Sequence, residues 1–201
     1  FEGLLVSRDV VKDGQVIGTE VRTEKIDPMC FTSPRDFSTT SAIQLAVSDD
    51  PDYPVNTAVI NENPRSGDWS FHFVGEVVDT SVKVNGKFVI ANAKITIQKG
   101  MKLTYYLNPT NENGKYVYMD LLLKKGEDGD EFLSDAIRVR PVAVAQGEVG
   151  EWIKVTYPIP NSLEGREIIG FAVAYDKQAK GEFDAYIDDV VLELSDAPTD
   201  L

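Results

Sequence analysis

An all-β, antiparallel β-sandwich is the architecture this sequence predicts, and three observations predict it. Apolar and polar residues alternate with period two through most of the chain, with little sustained helical periodicity. Gly, Pro, Asn and Asp punctuate that alternation at short intervals. The 201 residues are enough for one well-filled core, at a length where β-sandwiches are commonly single units. Roughly ten short strands result, and two packed sheets bury one face of each.

Taken in order, "LLVSRDVV" and "QVIGTEVRTEKI" flank a "KDG" turn and read as a hairpin. The Pro- and Asp-rich stretch from "SPRDFSTT" to "DDPDYPVN" reads as a long surface excursion holding one strand, "AIQLAV". Strands follow at "SGDWSFHFVG", "KFVIANAKITI" and "KLTYYLNP". "NPTNENGK" turns the chain into "YVYMDLLLKK", and "GEDGD" turns it again into "EFLSDAIRVRP". "EWIKVTYPIP", "IIGFAVAYD" and "AYIDDVVLEL" complete the set. Residues 1–194 form the expected single domain, and 195–201, "SDAPTDL", read as a tail or linker toward a neighbouring domain. Trp69 and Trp152 fall in phase with apolar neighbours at strand starts and are assigned to the core.

Composition narrows the function. With 20 basic and 33 acidic residues the formal charge is −13, which opposes binding to nucleic acid or anionic membranes. The longest apolar runs, such as "VAVA", are far too short to span a bilayer as a helix. Cys30 is the single cysteine and cannot close an intramolecular disulfide. The opening "FEGLLV" carries no basic stretch or apolar signal core, so the sequence reads as an excised domain or a mature product. One histidine, His72, rules out a multi-histidine metal centre, and it alternates with Phe71 and Phe73 as a half-exposed strand residue would. No phosphate-cradling Gly loop or CxxC pair occurs.

The final strand poses the sharpest question. Unbroken alternation through "AYIDDVVLEL" puts Asp188 with Tyr186, Val190 and Leu192 on one face, and Asp189 with Ile187 and Val191 on the other. One ionised carboxylate would then point inward, which is costly unless a cation or several donors meet it. Two answers stand open: a hard cation, or hydrogen bonds from turn amides.

An opening "FE", then "RSGDWSFHF", "GEWIKVTYPI" and a closing "AYIDDVVLEL", in that order, resemble the jelly-roll carbohydrate-binding modules and β-sandwich accessory domains of bacterial glycoside hydrolases. The resemblance covers about Val59 to Leu194 and the first few residues, while Val6 to Thr57 is longer than the family usually has there. It implies a jelly roll, a carbohydrate partner, neighbouring domains in a larger polypeptide and an extracellular location. It also implies a structural calcium ion held by Glu2, the carbonyls of Arg65 and Asp68, and Asp188. The acidic turn "GEDGDE" lacks EF-hand spacing and reads as a solvated hairpin turn.

Sugar binding calls for aromatic faces beside polar groups that bond hydroxyls. Alternation leaves Tyr118 and Asp120 opposite Val117, Met119 and Leu121, and turns Tyr106 and Asn108 away from Leu103, Tyr105 and Leu107. If these strands share a sheet with "SFHFV", then Tyr106, Tyr118, Asp120 and His72 line one groove; the alternative is cross-strand tyrosine pairing that only stabilises the sheet. Two further function classes remain, a non-binding accessory domain and a glycosidase. Glu182, Asp184 and Asp188 resemble the paired carboxylates of jelly-roll β-glucanases, but the third acid is Asp, and the common spacing puts Ile187 where an acid is needed. No catalytic residue is therefore assigned.

Overall fold

A computed structural model describes residues 4–12, 15–24, 54–81, 84, 86–125, 129–138 and 147–194, with side chains from Pro54 onward, Val59 excepted. Its strands are β1 (Leu4–Lys12), β2 (Gln15–Glu24), β3 (Val55–Ile60), β4 (Ser70–Val77), β5 (Gly86–Thr96), β6 (Met101–Pro109), β7 (Tyr118–Leu123), β8 (Glu131–Phe132), β9 (Ile153–Pro158), β10 (Glu167–Tyr175) and β11 (Gly181–Leu194). A short helix, α1 (Leu133–Ile137), follows β8. Two sheets carry the fold, one ordered β5-β10-β7-β8 and the other β3-β4-β11-β6-β9, and every pairing in them is antiparallel. From β4 onward nearly every connection crosses from one sheet to the other, the winding of a jelly roll.

Most of the expected strands are observed. The "KDG" hairpin is present as β1 paired with β2, a two-stranded ribbon outside both sheets, in which β1 approaches β11 without pairing with it. Two elements differ. β3 begins in the last two residues of the expected surface excursion and runs on past it, and inward-facing Thr57, 3% exposed, interrupts the apolar alternation and disguises the strand. "EFLSDAIRVRP" is no long strand: after two paired residues Leu133, Ala136 and Ile137 recur at helical spacing, and α1 ends at Arg138 in a left-handed conformation, φ 57°. "AIQLAV", Glu2, the turn at 126–128 and residues 195–201 lie outside the described residues.

Alternation sets the core. Phe71, Phe73 and Val77 of β4, Leu103, Tyr105 and Leu107 of β6, and Phe183, Ala185 and Ile187 of β11 all turn inward and are buried. Rings lock one sheet to the other, Tyr175 stacking on Phe183 at 4.0 Å and Phe73 meeting Phe88 at 6.0 Å, while Phe73 and Phe183 meet at 5.3 Å within the five-stranded sheet. Burial pushes the Tyr175 hydroxyl up to about 12 and that of Tyr105 well above its usual range, so both stay protonated. Gly75 is required because a Cβ there would lie 2.4 Å from the Phe183 ring. Trp69 packs partly buried against this core, and Trp152 is half-buried.

Strand β7 is buried on both faces. Opposite Met119 and Leu121, Asp120 turns toward α1, where its Oδ1 accepts the backbone amides of Leu121 at 2.8 Å and Ser134 at 3.1 Å and its Oδ2 accepts the Ser134 hydroxyl. Lys87 Nζ completes the cluster, 3.6 Å from Asp120 Oδ2, 2.7 Å from Ser134 Oγ and 2.8 Å from Asp135 Oδ1. A carboxylate that sequence alternation turns to solvent is thus committed to anchoring a helix.

The loop from Thr110 to Tyr116 is fastened to the start of β11. Thr110 N donates to Asp184 O at 3.0 Å, Asn113 Nδ2 to Glu182 O at 3.0 Å, and a Cβ on Gly114 would sit 2.0 Å from Asp184 O. Gly114→Ala must therefore push the loop off β11, and urea unfolding is expected to show a loss of about 1–3 kcal/mol.

Candidate functional site

The outward face of the five-stranded sheet gathers the polar and aromatic side chains that the core leaves behind. Register places Ala58, His72, Tyr186 and Asn108 in one row across β3, β4, β11 and β6. His72 and Tyr186 stack, with ring centroids 4.6 Å apart and planes 15° off parallel. Nε2 of His72 donates to Asp184 Oδ1 at 2.8 Å, which fixes the imidazole from its edge. Burial, followed by the charges of Asp184 and Glu62 and a hydrogen bond to the Glu62 side chain, raises the Tyr186 pKa, so its hydroxyl stays protonated at neutral pH. Asn108 lies beside Tyr186; its Nδ2 donates to Gly150 O at 3.2 Å, and its buried Oδ1 has no hydrogen-bond partner.

The turn between β3 and β4 folds over the next row. Gly67 holds the left-handed conformation that closes this turn, φ 63°. The guanidinium of Arg65 lies 3.4 Å over the ring of Tyr106, whose strand partner is Asp188. The face therefore carries a stacked ring pair at His72 and Tyr186, and a cation–aromatic pair at Arg65 and Tyr106.

A β-bulge answers the question of the adjacent acids. Between Asp188 and Val191 the chain advances three positions while its partner β6 advances two, from Tyr106 to Thr104. Asp189 takes up the extra residue at φ 48°. The phase of β11 then reverses, so that Phe183, Ala185 and Ile187 before the bulge and Val190 and Leu192 after it all face the core. Neither acid enters the core, a correction to the expectation from unbroken alternation. Both are sealed beneath the turn: Asp188 is 1% and Asp189 5% exposed. Asp188 Oδ2 accepts the amides of Arg65 at 2.9 Å and Ser66 at 3.2 Å, and Oδ1 accepts that of Asp189 at 2.7 Å. Asp189 accepts the Ser66 hydroxyl and pairs with the Arg65 guanidinium.

Of the four residues expected to line a groove, the structure brings His72 and Tyr106 to the same face. Tyr118 and Asp120 belong to β7 in the opposite sheet, are fully buried and do not join them. Tyr186 joins that face although unbroken alternation puts it in phase with apolar Val190 and Leu192, a phase that the irregularity of β11 between Asp188 and Val191 breaks. For the glycosidase set, Glu182 is exposed, Asp184 is bonded to His72 and Asp188 is occupied by three amides, which leaves no second carboxylate poised beside a reacting bond.

The calcium set fits poorly. Glu2 lies outside the described residues, and the oxygens of Asp188 already face N–H donors while Arg65 supplies a cation at Asp189. Among the described residues no group of three or more His, Cys, Asp or Glu is arranged to hold a metal ion.

No protein-family model matches this sequence. No curated protein matches it. Similar solved structures are carbohydrate-binding modules. One, from a study of promiscuous specificity in the β-sandwich superfamily, is 12% identical with a TM-score of 0.48, covering 88% of this chain and 68% of its own. CBM27-1 of Caldicellulosiruptor saccharolyticus, in complex with mannohexaose, is 14% identical with a TM-score of 0.38, covering 67% of this chain and 80% of its own. The family 11 module of the cellulase Lic26A-Cel5E of Clostridium thermocellum is 11% identical with a TM-score of 0.38, covering 77% and 96%.

Burial is the main cause that raises the Asp188 pKa, with the charge of Asp189 adding to it and the amides of Ser66, Asp189 and Arg65 opposing it. The folded state thus holds this proton more tightly than the unfolded chain, and stability is lost as pH rises from the ordinary value of 3.8 through the raised one. Asp188→Asn does not titrate and escapes that loss. Urea unfolding at about pH 4 and about pH 7 is expected to show the variant gaining on the parent as pH rises, by about 1.4 kcal/mol for each pH unit between the two pKa values.

Proposed function

We propose that this domain is a non-catalytic carbohydrate-binding module whose ligand lies on the outward face of the five-stranded sheet. The observation that carries the reading is the His72–Tyr186 stack, held at its edge by Asp184 and joined on that face by Arg65 over Tyr106. A pre-stacked pair of rings offers an apolar surface at little entropic cost, and the flanking charges of Asp184 and Arg65 offer hydrogen bonds to sugar hydroxyls. The net charge of −13 favours a neutral glycan over a polyanionic one. The resemblance to accessory modules supports attachment to a glycosidase in a larger, extracellular polypeptide.

A glycan array followed by calorimetry tests the proposal. The parent is expected to retain at least one neutral oligosaccharide. Tyr186→Ala should weaken it about tenfold or more, a loss of about 1.4 kcal/mol, because both the ring and its stacking partner's support are removed. Tyr118→Phe should leave affinity unchanged, since that ring is fully buried in the other sheet. Absence of any glycan binding by the folded parent would replace this reading with that of a non-binding accessory domain.

A further inference from the structure

We propose that the Arg65 guanidinium, and not a divalent ion, is the cation that fastens the paired carboxylates of β11 to the turn between β3 and β4, so that the domain folds independently of calcium. This stands apart from the carbohydrate reading and departs from the metal site that family resemblance implies.

Donor geometry argues first. An ionised carboxylate offers about four lone-pair positions. Asp188 spends three of its own on backbone amides, whose hydrogens would repel an ion approaching the same oxygens. Asp189 spends two, on the Ser66 hydroxyl and Arg65 Nη1. Calcium needs six to eight oxygens at about 2.3–2.6 Å. Apart from the Asp189 amide, these donors come from one turn, 123 residues away along the chain.

The choice of cation argues next. Two buried carboxylates side by side require positive charge close by. Arg65 brings it as a planar group able to satisfy two contacts at once: one edge pairs with Asp189 while the flat face lies 3.4 Å over Tyr106. Tyr106 is itself the strand partner of Asp188, so the ring that orients the guanidinium and the acids that receive it are set by one register. Lysine, a hydrated point charge without a stacking face, meets only part of that requirement. The amides of Arg65 and Ser66 bind Asp188 while their side chains bind Asp189, so two consecutive residues engage both acids with backbone and side chain together.

The test is thermal unfolding of the whole 201-residue chain, read by circular dichroism in EDTA and in millimolar calcium chloride, with calcium titrated into the parent by calorimetry. The parent is expected to melt at the same temperature in both and to take up no calcium. Arg65→Gln should lower Tm by about 3–8 °C, with Arg65→Lys recovering less than half of the loss. Lys102→Gln, which removes the half-exposed pair with Glu193 at 3.2 Å on the same sheet, should lower it by less than about 2 °C. A parent Tm that falls in EDTA and returns with calcium overturns the proposal, as does an Arg65→Gln loss no larger than that of Lys102→Gln. Should Arg65→Gln fail to fold, the parent's calorimetric titration and the Arg65→Lys melt decide it. No glycan enters these measurements, so their outcome is separate from that of the binding reading.

Discussion

Two carboxylates cannot be placed next to each other on a regular strand without one of them entering the core, and this constraint shapes the centre of the molecule. β11 resolves it by inserting one residue against β6, which turns both acids outward and reverses the strand's phase beyond them. The resolution is conditional, since two buried charges on the outward face still need donors. The turn before β4 supplies them, and it does so from a position fixed by β4's own pairing with β11. Bulge, turn and register therefore form one unit, and loss of any part leaves an unsatisfied charge where the sheet is most tightly paired.

That unit also shapes the candidate binding face. Upstream of the bulge, even-numbered residues of β11 face outward, which brings Asp184 and Tyr186 beside His72. At the bulge the turn crosses the face, and Arg65 lies over Tyr106. What crosses the face there is thus the same structure that neutralises the acids. The loop fixed to Asp184 through Thr110 and Gly114 holds the first part of β11 in place.

The sequence made the sandwich legible because period-two alternation and turn residues are local signals, and they located most strands within a few residues. It concealed β3, where Thr57 occupies an inward position, and α1, where a helical triad follows directly on two strand residues. The face was half legible. Parity identified His72 and Tyr106 as outward, but parity does not say which sheet a strand joins, and β7 pairs with β10 instead of β6. Tyr118 and Asp120 therefore went to a buried surface that a helix covers. The bulge was invisible for a further reason: an inserted residue leaves composition unchanged and shows only against the partner strand. Arg65, whose side chain matters more than its carbonyl, had no sequence signal beyond its place in the "RSGD" turn.

The position of β11 also dictates an order of assembly. It lies between β4 and β6, so the five-stranded sheet consists of two separate pieces, β3–β4 and β6–β9, until a strand encoded at the far end of the described chain arrives. The pairings that unite them are long-range, and long-range antiparallel closure is slow relative to local hairpin formation. During synthesis β4 and β6 must wait with open edges for these fourteen residues. The five-stranded sheet is thus complete only once β11 is in place, and shielding of those edges until then would guard against mispairing.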